Sequence, residues 1–195
     1  TALDGAGEVA YAKGFDPETA ETDEKLIAEA IACAEAADQV IVMVGLPALF
    51  EAEGFDRKHL RQPAQLDALV AAVAKANPAC AVVLSNGAPI EMPWIDTVPA
   101  VLEIYLAGQA GAGGLCDLVF GEISPSGKLA ETFPLALNDC PAQENFATHP
   151  RQIIYREGLN VGYRHFVTHE KPVLFPFGHG LSYTTFDYAN LRVSG

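Results

Sequence analysis

Apolar and polar positions alternate along this chain with two different periods, and the change between them divides it. From Asp23, a residue suited to cap a helix, Leu26, Ile27, Ala30, Ile31 and Ala34 recur with helical spacing and predict a helix running to about Ala37. Gln39 to Gly45 follows as an almost unbroken β-branched run, the pattern of a strand buried on both faces of a parallel sheet. A polar loop, Leu46 to Gln62, leads to Pro63. That residue suits the first turn of a second helix, with Leu66, Leu69, Val70 and Val73 on one stripe and Asn77-Pro78 as the stop. Cys80 to Leu84 and Ala100 to Leu106 predict two more strands, and Gln109 to Phe120 a third helix closed at Gly121. A short strand is also expected at Glu8 to Ala12. This alternation predicts an α/β fold: a mostly parallel open sheet flanked by helices.

After Pro125 the pattern breaks into short β-prone pieces, Lys128 to Phe133, Ile153 to Tyr155, Gly162 to Val167 and Thr184 to Val193, separated by Pro, Gly, Asn and Asp. No helix-length apolar pattern appears there. The expected organisation is one domain over 1–195, with a core at about 24–135 and a C-terminal strand-and-loop annex at about 136–195 wrapped on it. The last residues, from Leu191, read as the lead into a further β domain.

Composition narrows the function. A length of 195 residues is enough for one sizeable core. No run approaches the roughly 20 apolar residues of a membrane helix, so no membrane partner is expected. The net charge of −13, from 25 acidic against 12 basic residues, repels a phosphate backbone and argues against nucleic acid. Cys33, Cys80, Cys116 and Cys140 form no C-x-x-C pair and are expected to be buried free thiols. The chain opens at Thr1 without a basic, then apolar, then small-residue leader, which leaves localisation unassigned.

Ligands of open α/β sheets sit outside the carboxyl ends of the strands, which directs attention to the loop after Gly45. It carries Glu51, Glu53 and Asp56 beside Phe50, Phe55 and Arg57, a mixture able to hold one carboxyl neutral and others ionised. On composition alone these acids read equally as solvated loop charges, with Asp56 capping or pairing with Arg57. Other signals are weaker. Gly121 to Lys128 lacks phosphate-loop spacing, since five residues separate Gly121 from Gly127 and Leu129 stands where a magnesium-binding Ser or Thr belongs. Gly108, Gly111, Gly113 and Gly114 read as close helix packing rather than a nucleotide cradle. Of the histidines at 59, 149, 165, 169 and 179, only His165 and His169 stand four apart, without a cysteine framework, so no metal is expected. Ser85 and Ser182 lack the nucleophile-elbow context.

The run Glu51-Ala-Glu-Gly-Phe-Asp-Arg57, followed by Leu60, Pro63 and Gln65, resembles the E-x-E-G-[FY]-D-R loop of family 3 glycoside hydrolases of the β-glucosidase type. Blocks at Val82 to Trp94, Leu106 to Gly114, Pro125 to Pro134, Tyr155 to Arg164 and Phe175 to Tyr183 are similar to family blocks in the family order, so the resemblance covers nearly the whole chain. It implies the flavodoxin-like α/β sandwich that forms the C-terminal domain of those enzymes. It also implies retaining hydrolysis of terminal non-reducing β-D-glucosyl residues of a β-glucoside or oligosaccharide, without a cofactor.

In the family the aspartate nucleophile lies on an N-terminal barrel, and nothing here resembles that barrel. The isolated chain is therefore expected to be inactive and to need the barrel domain as its partner. Matching the loop residue by residue implies that Glu53 is the acid/base, with Glu51 the alternative. Phe55 is the apolar neighbour expected to raise the pKa of Glu53, while Asp56 and Arg57 brace the loop. Gly158, Gly162, Gly178 and Gly180 are expected at turns or close approaches. Tyr155, Tyr163, Phe175, Phe177 and Tyr183 are expected as core or interface anchors. The reading from another class is a free-standing flavodoxin-like domain that binds a sugar or a partner surface without catalysis.

Overall fold

The computed structural model describes residues 7–146 and 151–194. Helix α1 spans Glu24–Glu35, and the Asp23 carboxylate caps it by accepting from the backbone N–H of Lys25 (2.9 Å) and Leu26 (3.2 Å). Strand β1 (Val40–Gly45) leads through the long loop to α2 (Ala64–Ala76), then β2 (Cys80–Ser85), β3 (Ala100–Glu103) and α3 (Gly111–Val119). The three strands lie parallel in the order β1-β2-β3, with Val40 opposite Cys80 and Ala81 opposite Ala100. A mostly parallel α/β sheet flanked by helices is therefore the architecture.

The core sits where α1 and α2 meet one face of this sheet. Ala30 and Ala34 of α1, Leu66, Leu69, Val70 and Val73 of α2, Val42 and Val44 of β1, and Val82 and Leu84 of β2 form one buried cluster, closed by Ile90, Met92, Trp94 and Phe133. Each large side chain taken fully out of water here contributes roughly 1.5–3 kcal/mol. Two polar residues fasten the helices. Asn77, just past α2, donates through Nδ2 to the carbonyls of Ala34 (2.9 Å) and Ala37 (2.8 Å), tying down the end of α1. Gln65, almost fully buried, donates to the carbonyls of Asp16 (3.1 Å) and Thr19 (2.6 Å) and anchors the segment before α1.

Several sequence expectations are corrected. Strand β1 is buried on one face only: Val42 and Val44 point into the core while Ile41 and Met43 are exposed, because no layer of described residues covers its outer face. Glu8 to Ala12 forms no strand. Strand β3 stops at Glu103, two residues before Tyr105 takes a left-handed backbone (φ 49°). The stretch Gly162 to Val167, read as β-prone, is instead the short helix α4 (Tyr163–Thr168), and the strand of the annex is β5 (Val173–Phe175). It pairs antiparallel with β4 (Phe133–Pro134), the only part of Lys128 to Phe133 that is extended in a ladder. Neither Ile153 to Tyr155 nor Thr184 to Val193 forms a strand.

The annex meets the core through Phe133, fully buried, and through Leu174 and Phe175 packed against the cluster. Of the expected aromatic anchors only Phe175 reaches the core. Tyr163 stacks on Phe177 at 5.0 Å between centroids with both half exposed, Tyr155 is exposed, and exposed Tyr183 donates its hydroxyl to the Leu118 carbonyl at 3.0 Å. Gly158, Gly162 and Gly178 do take positive φ, and Gly180 packs closely against the Gly127 carbonyl. All four cysteines are free. Cys80 is buried, and the other three are half-buried rather than buried as expected. Among the described residues no helix is long and apolar enough to cross a membrane.

Candidate functional site

The parallel register brings the carboxyl ends of the three strands together, with Gly45 opposite Ser85 and Leu84 opposite Glu103. At Gly45 the chain passes so close to the Ser85 carbonyl that a Cβ would overlap it, which explains glycine at this exit. The loop then leaves the sheet with the Leu46 N–H donating to the same carbonyl (3.3 Å). It turns at Pro47, whose carbonyl accepts from Phe50 N–H (2.8 Å) and Glu51 N–H (3.1 Å). Ala52 and Phe55 then form an antiparallel bridge, so Glu53 and Gly54 occupy the tip of a tight hairpin.

The two candidate acids are held in opposite ways. Glu51 is clamped: Oε2 accepts the Gly87 N–H at 2.7 Å and Oε1 lies 3.8 Å from Arg57 Nη1. Arg57 Nη1 in turn donates to the Pro89 carbonyl at 3.3 Å, and the Glu91 N–H donates to the Leu60 carbonyl at 2.9 Å, so both arms of the hairpin are tied to the turn after β2. Glu53 is exposed at the tip and, among the described residues, has neither hydrogen bond nor ion pair. Beside the hairpin a hollow of about 200 Å³ is lined by Phe50, Phe55, Asp56, Arg57, Lys58 and His59.

Of the two residues expected to brace the loop, Arg57 pairs with Glu51 and bonds the Pro89 carbonyl. Among the described residues no ion pair joins Asp56 to Arg57, and Asp56 is exposed. Successive side chains on an extended arm point to opposite sides, whereas the hairpin carries Glu51 across to Arg57. Burial draws the Arg57 guanidinium below its usual pKa, with Glu51 and Glu91 opposing that shift. As a guanidinium it still serves as the cation of the pair.

Behind the hairpin lies a carboxyl cluster that the sequence analysis did not single out. Glu103, at the end of β3, accepts from the Tyr105 N–H at 2.7 Å and from Asn86 Nδ2 at 3.2 Å. Burial, reinforced by Glu131 and Glu51 and opposed by those two hydrogen bonds, pushes its carboxyl up to about 7. Glu131 is likewise raised, by burial and then by Glu51. The available signal was a lone carboxylate in the otherwise apolar run Val101 to Tyr105, since a charge on a strand of this kind costs stability unless it is partnered. His165 and His169 stand with ring centroids 5.0 Å apart, while His149 lies outside the described residues.

Comparison with known proteins places the chain in a family. Residues 3–183 match the family described as the glycosyl hydrolase family 3 C-terminal domain. The chain is 50% identical over 183 residues to thermostable β-glucosidase B of Acetivibrio thermocellus, covering 94% of this chain and 24% of that protein. It is 43% identical over 185 residues to an exo-α-(1→6)-L-arabinopyranosidase of Bifidobacterium longum, again 94% of this chain and 24% of the relative. Among solved structures, a family 3 β-glucosidase of Bifidobacterium adolescentis superposes with a TM-score of 0.89 at 45% identity, covering 94% of this chain and 28% of that one. The β-glucosidase of Kluyveromyces marxianus in complex with glucose gives a TM-score of 0.80 at 37% identity, covering 87% and 20%. This chain thus spans about a quarter of the length of the relatives it matches, and it belongs to the family of glycosyl hydrolase family 3 C-terminal domains.

Proposed function

We propose that this chain is the acid/base-supplying domain of a retaining glycosidase of the β-glucosidase type, with Glu53 as the acid/base and the nucleophile on an N-terminal barrel domain of the same enzyme. The observation that carries this reading is the contrast within one hairpin. Glu51 is committed to the Gly87 amide and Arg57, whereas Glu53 stands exposed at the tip, on the side of the sheet where α/β folds bind ligands. A proton donor must be able to reach the glycosidic oxygen, and a carboxylate locked into an internal ion pair cannot do so.

In retaining hydrolysis two carboxyl groups about 5 Å apart share the work. The nucleophile attacks the anomeric carbon while the acid passes its proton to the leaving oxygen, giving a covalent glycosyl-enzyme. The same acid, now ionised, then takes a proton from water as that water attacks and releases the sugar. Glu53 performs both proton transfers in this reading. Asp56 and Phe55 border the hollow beside the tip, and Arg57 holds the hairpin through Glu51. Terminal β-D-glucosyl residues are the proposed substrate unit. Because similar relatives include both a β-glucosidase and an L-arabinopyranosidase, the choice of sugar is assigned to the barrel rather than to this domain.

The test is Glu53→Gln in the full-length enzyme, assayed on an unactivated β-linked disaccharide and on an activated aryl β-glucoside. Loss of the proton donor is expected to cost about 10²–10⁴-fold on the disaccharide and far less on the aryl glycoside, whose leaving group needs little protonation. Equal, small losses on both substrates sink the assignment. The same signature in Glu51→Gln but not in Glu53→Gln moves the role to Glu51. The isolated chain is expected to hydrolyse neither substrate.

A further inference from the structure

The acid/base reading leaves the half-buried Glu103 carboxyl behind the hairpin without a role. Glu103 closes β3 and bonds the Asn86 side chain at 3.2 Å and the Tyr105 amide at 2.7 Å. Asn86, only 1% exposed, uses the same Nδ2 to grip the Ala88 carbonyl at 2.8 Å, fixing the turn after β2. The next residue along that turn, Gly87, donates the N–H that clamps Glu51, and Arg57 grips the turn again at Pro89. An unbroken set of contacts therefore runs from the end of β3, through the 86–89 turn, to both arms of the hairpin that carries Glu53.

The left-handed backbone of Tyr105 keeps its N–H turned back onto Glu103, an arrangement a plain strand would not adopt. Glu103 faces Glu51 from the loop after β1, Glu131 from the segment before β4, and Tyr105 on its own side. Arg57 pairs with one member of this group of acids, Glu51. A merely structural position in an apolar strand is filled more cheaply by Leu or Val, because an ionisable group must be desolvated and then hydrogen-bonded.

We propose that Glu103 is a positioning residue for the hydrolytic reaction: by holding Asn86, and with it the Gly87 amide, it fixes Glu51 and so the hairpin whose tip presents Glu53. This rests on Glu53 being the acid/base. Misplacement of a reacting group by about 1 Å costs up to about 10²-fold in rate, so a brace two contacts away has leverage on turnover without touching substrate.

The experiment places Glu103→Ala, Glu103→Asp and Glu53→Gln in the full-length enzyme. Each is assayed for kcat and KM on cellobiose and on para-nitrophenyl β-glucoside, and backbone amide exchange is followed across residues 46–62. Glu103→Ala is expected to lower kcat on cellobiose about tenfold, with a much smaller change on the aryl glycoside and KM near wild type, and to speed exchange in the hairpin. Glu103→Asp keeps the charge but withdraws the oxygens by one methylene. It is expected to give the same signature at about threefold, and it decides the question should the alanine variant not fold. Equal losses on both substrates, or wild-type rates with wild-type exchange in the hairpin, overturn the inference while Glu53→Gln still shows leaving-group dependence. If Glu53→Gln lacks that dependence, the acid/base reading falls first and takes this inference with it.

Discussion

The half of the domain packed under α1 and α2 and the rest of the molecule are built from similarly apolar residues, yet they end in different surroundings. In the first, Leu66, Val70, Val82 and Leu84 are at 0% exposure, Asn77 ties α2 to the end of α1, and Gln65 ties it to the segment before α1. In the rest, Ile41 and Met43 of β1 stand open, α3 has no buried residue, and the annex exposes Ile153, Tyr155, Leu159 and Tyr188. Apolar content alone therefore does not say what is core. What differs is whether a second layer in the described residues lies against the apolar face. One half of the domain is closed by the chain's own residues, and the other presents surface of the composition usually found at interfaces.

The largest test of this contrast is a pair of truncations. Leu66→Ala is expected to cost about 2–5 kcal/mol, since it opens a cavity in the closed-packed half. Tyr155→Ala is expected to stay within about 0.5 kcal/mol in the isolated chain, because its side chain is already in water. Urea unfolding of the two variants beside wild type measures both. Comparable losses would mean that the annex is as much a part of the cooperative unit as α2. An intermediate effect is expected from Asn77→Ala, which removes both bonds to the end of α1 and leaves the Ala34 and Ala37 carbonyls without that donor. The cost is about 1–3 kcal/mol, read in the same unfolding series.

The closed half was also the legible half. Helices α1 and α2 and strand β2 follow from spacing, because each buries a stripe or a whole strand against neighbours within the chain. The misreadings fall where placement depends on partners the pattern does not name. Strand β1 has the composition of a doubly buried strand but is covered on one face only, and α4 carries β-prone residues in a segment too short for a period to declare itself. At the proposed site, the run 51–57 singled out the loop, but it did not tell the clamped residue from the one at the tip. Which of Glu51 and Asp56 faces Arg57 depends on the Ala52–Phe55 bridge and on the Gly87 amide, contributed by another strand's exit. Glu103 was visible only as a charge in an apolar run.

That charge gives the smallest and most specific prediction, and it joins the two halves at the sheet's carboxyl end. The Glu103 carboxyl sits at about 7 in the fold against an ordinary 4.5, raised chiefly by burial. A raised carboxyl means that the folded chain keeps a proton the unfolded chain has already released. Between 4.5 and about 7 this group therefore makes stability fall as pH rises, and above that range it adds nothing further. Glu103 is only partly buried, so solvent screening reduces the effect to on the order of 1 kcal/mol. Thermal unfolding at about pH 5 and about pH 8 is expected to show a drop in Tm across this window of a few degrees for a chain of this size. Glu103→Gln, which cannot ionise, should lessen that drop by about the same amount, whereas the contributions of groups remote from the Glu51, Glu103 and Glu131 cluster are common to both proteins and cancel. If the variant and wild type instead lose stability in parallel, Glu103 is well enough solvated to ionise without cost. The closed half would then end at Leu102, one residue short of the cluster that holds the hairpin.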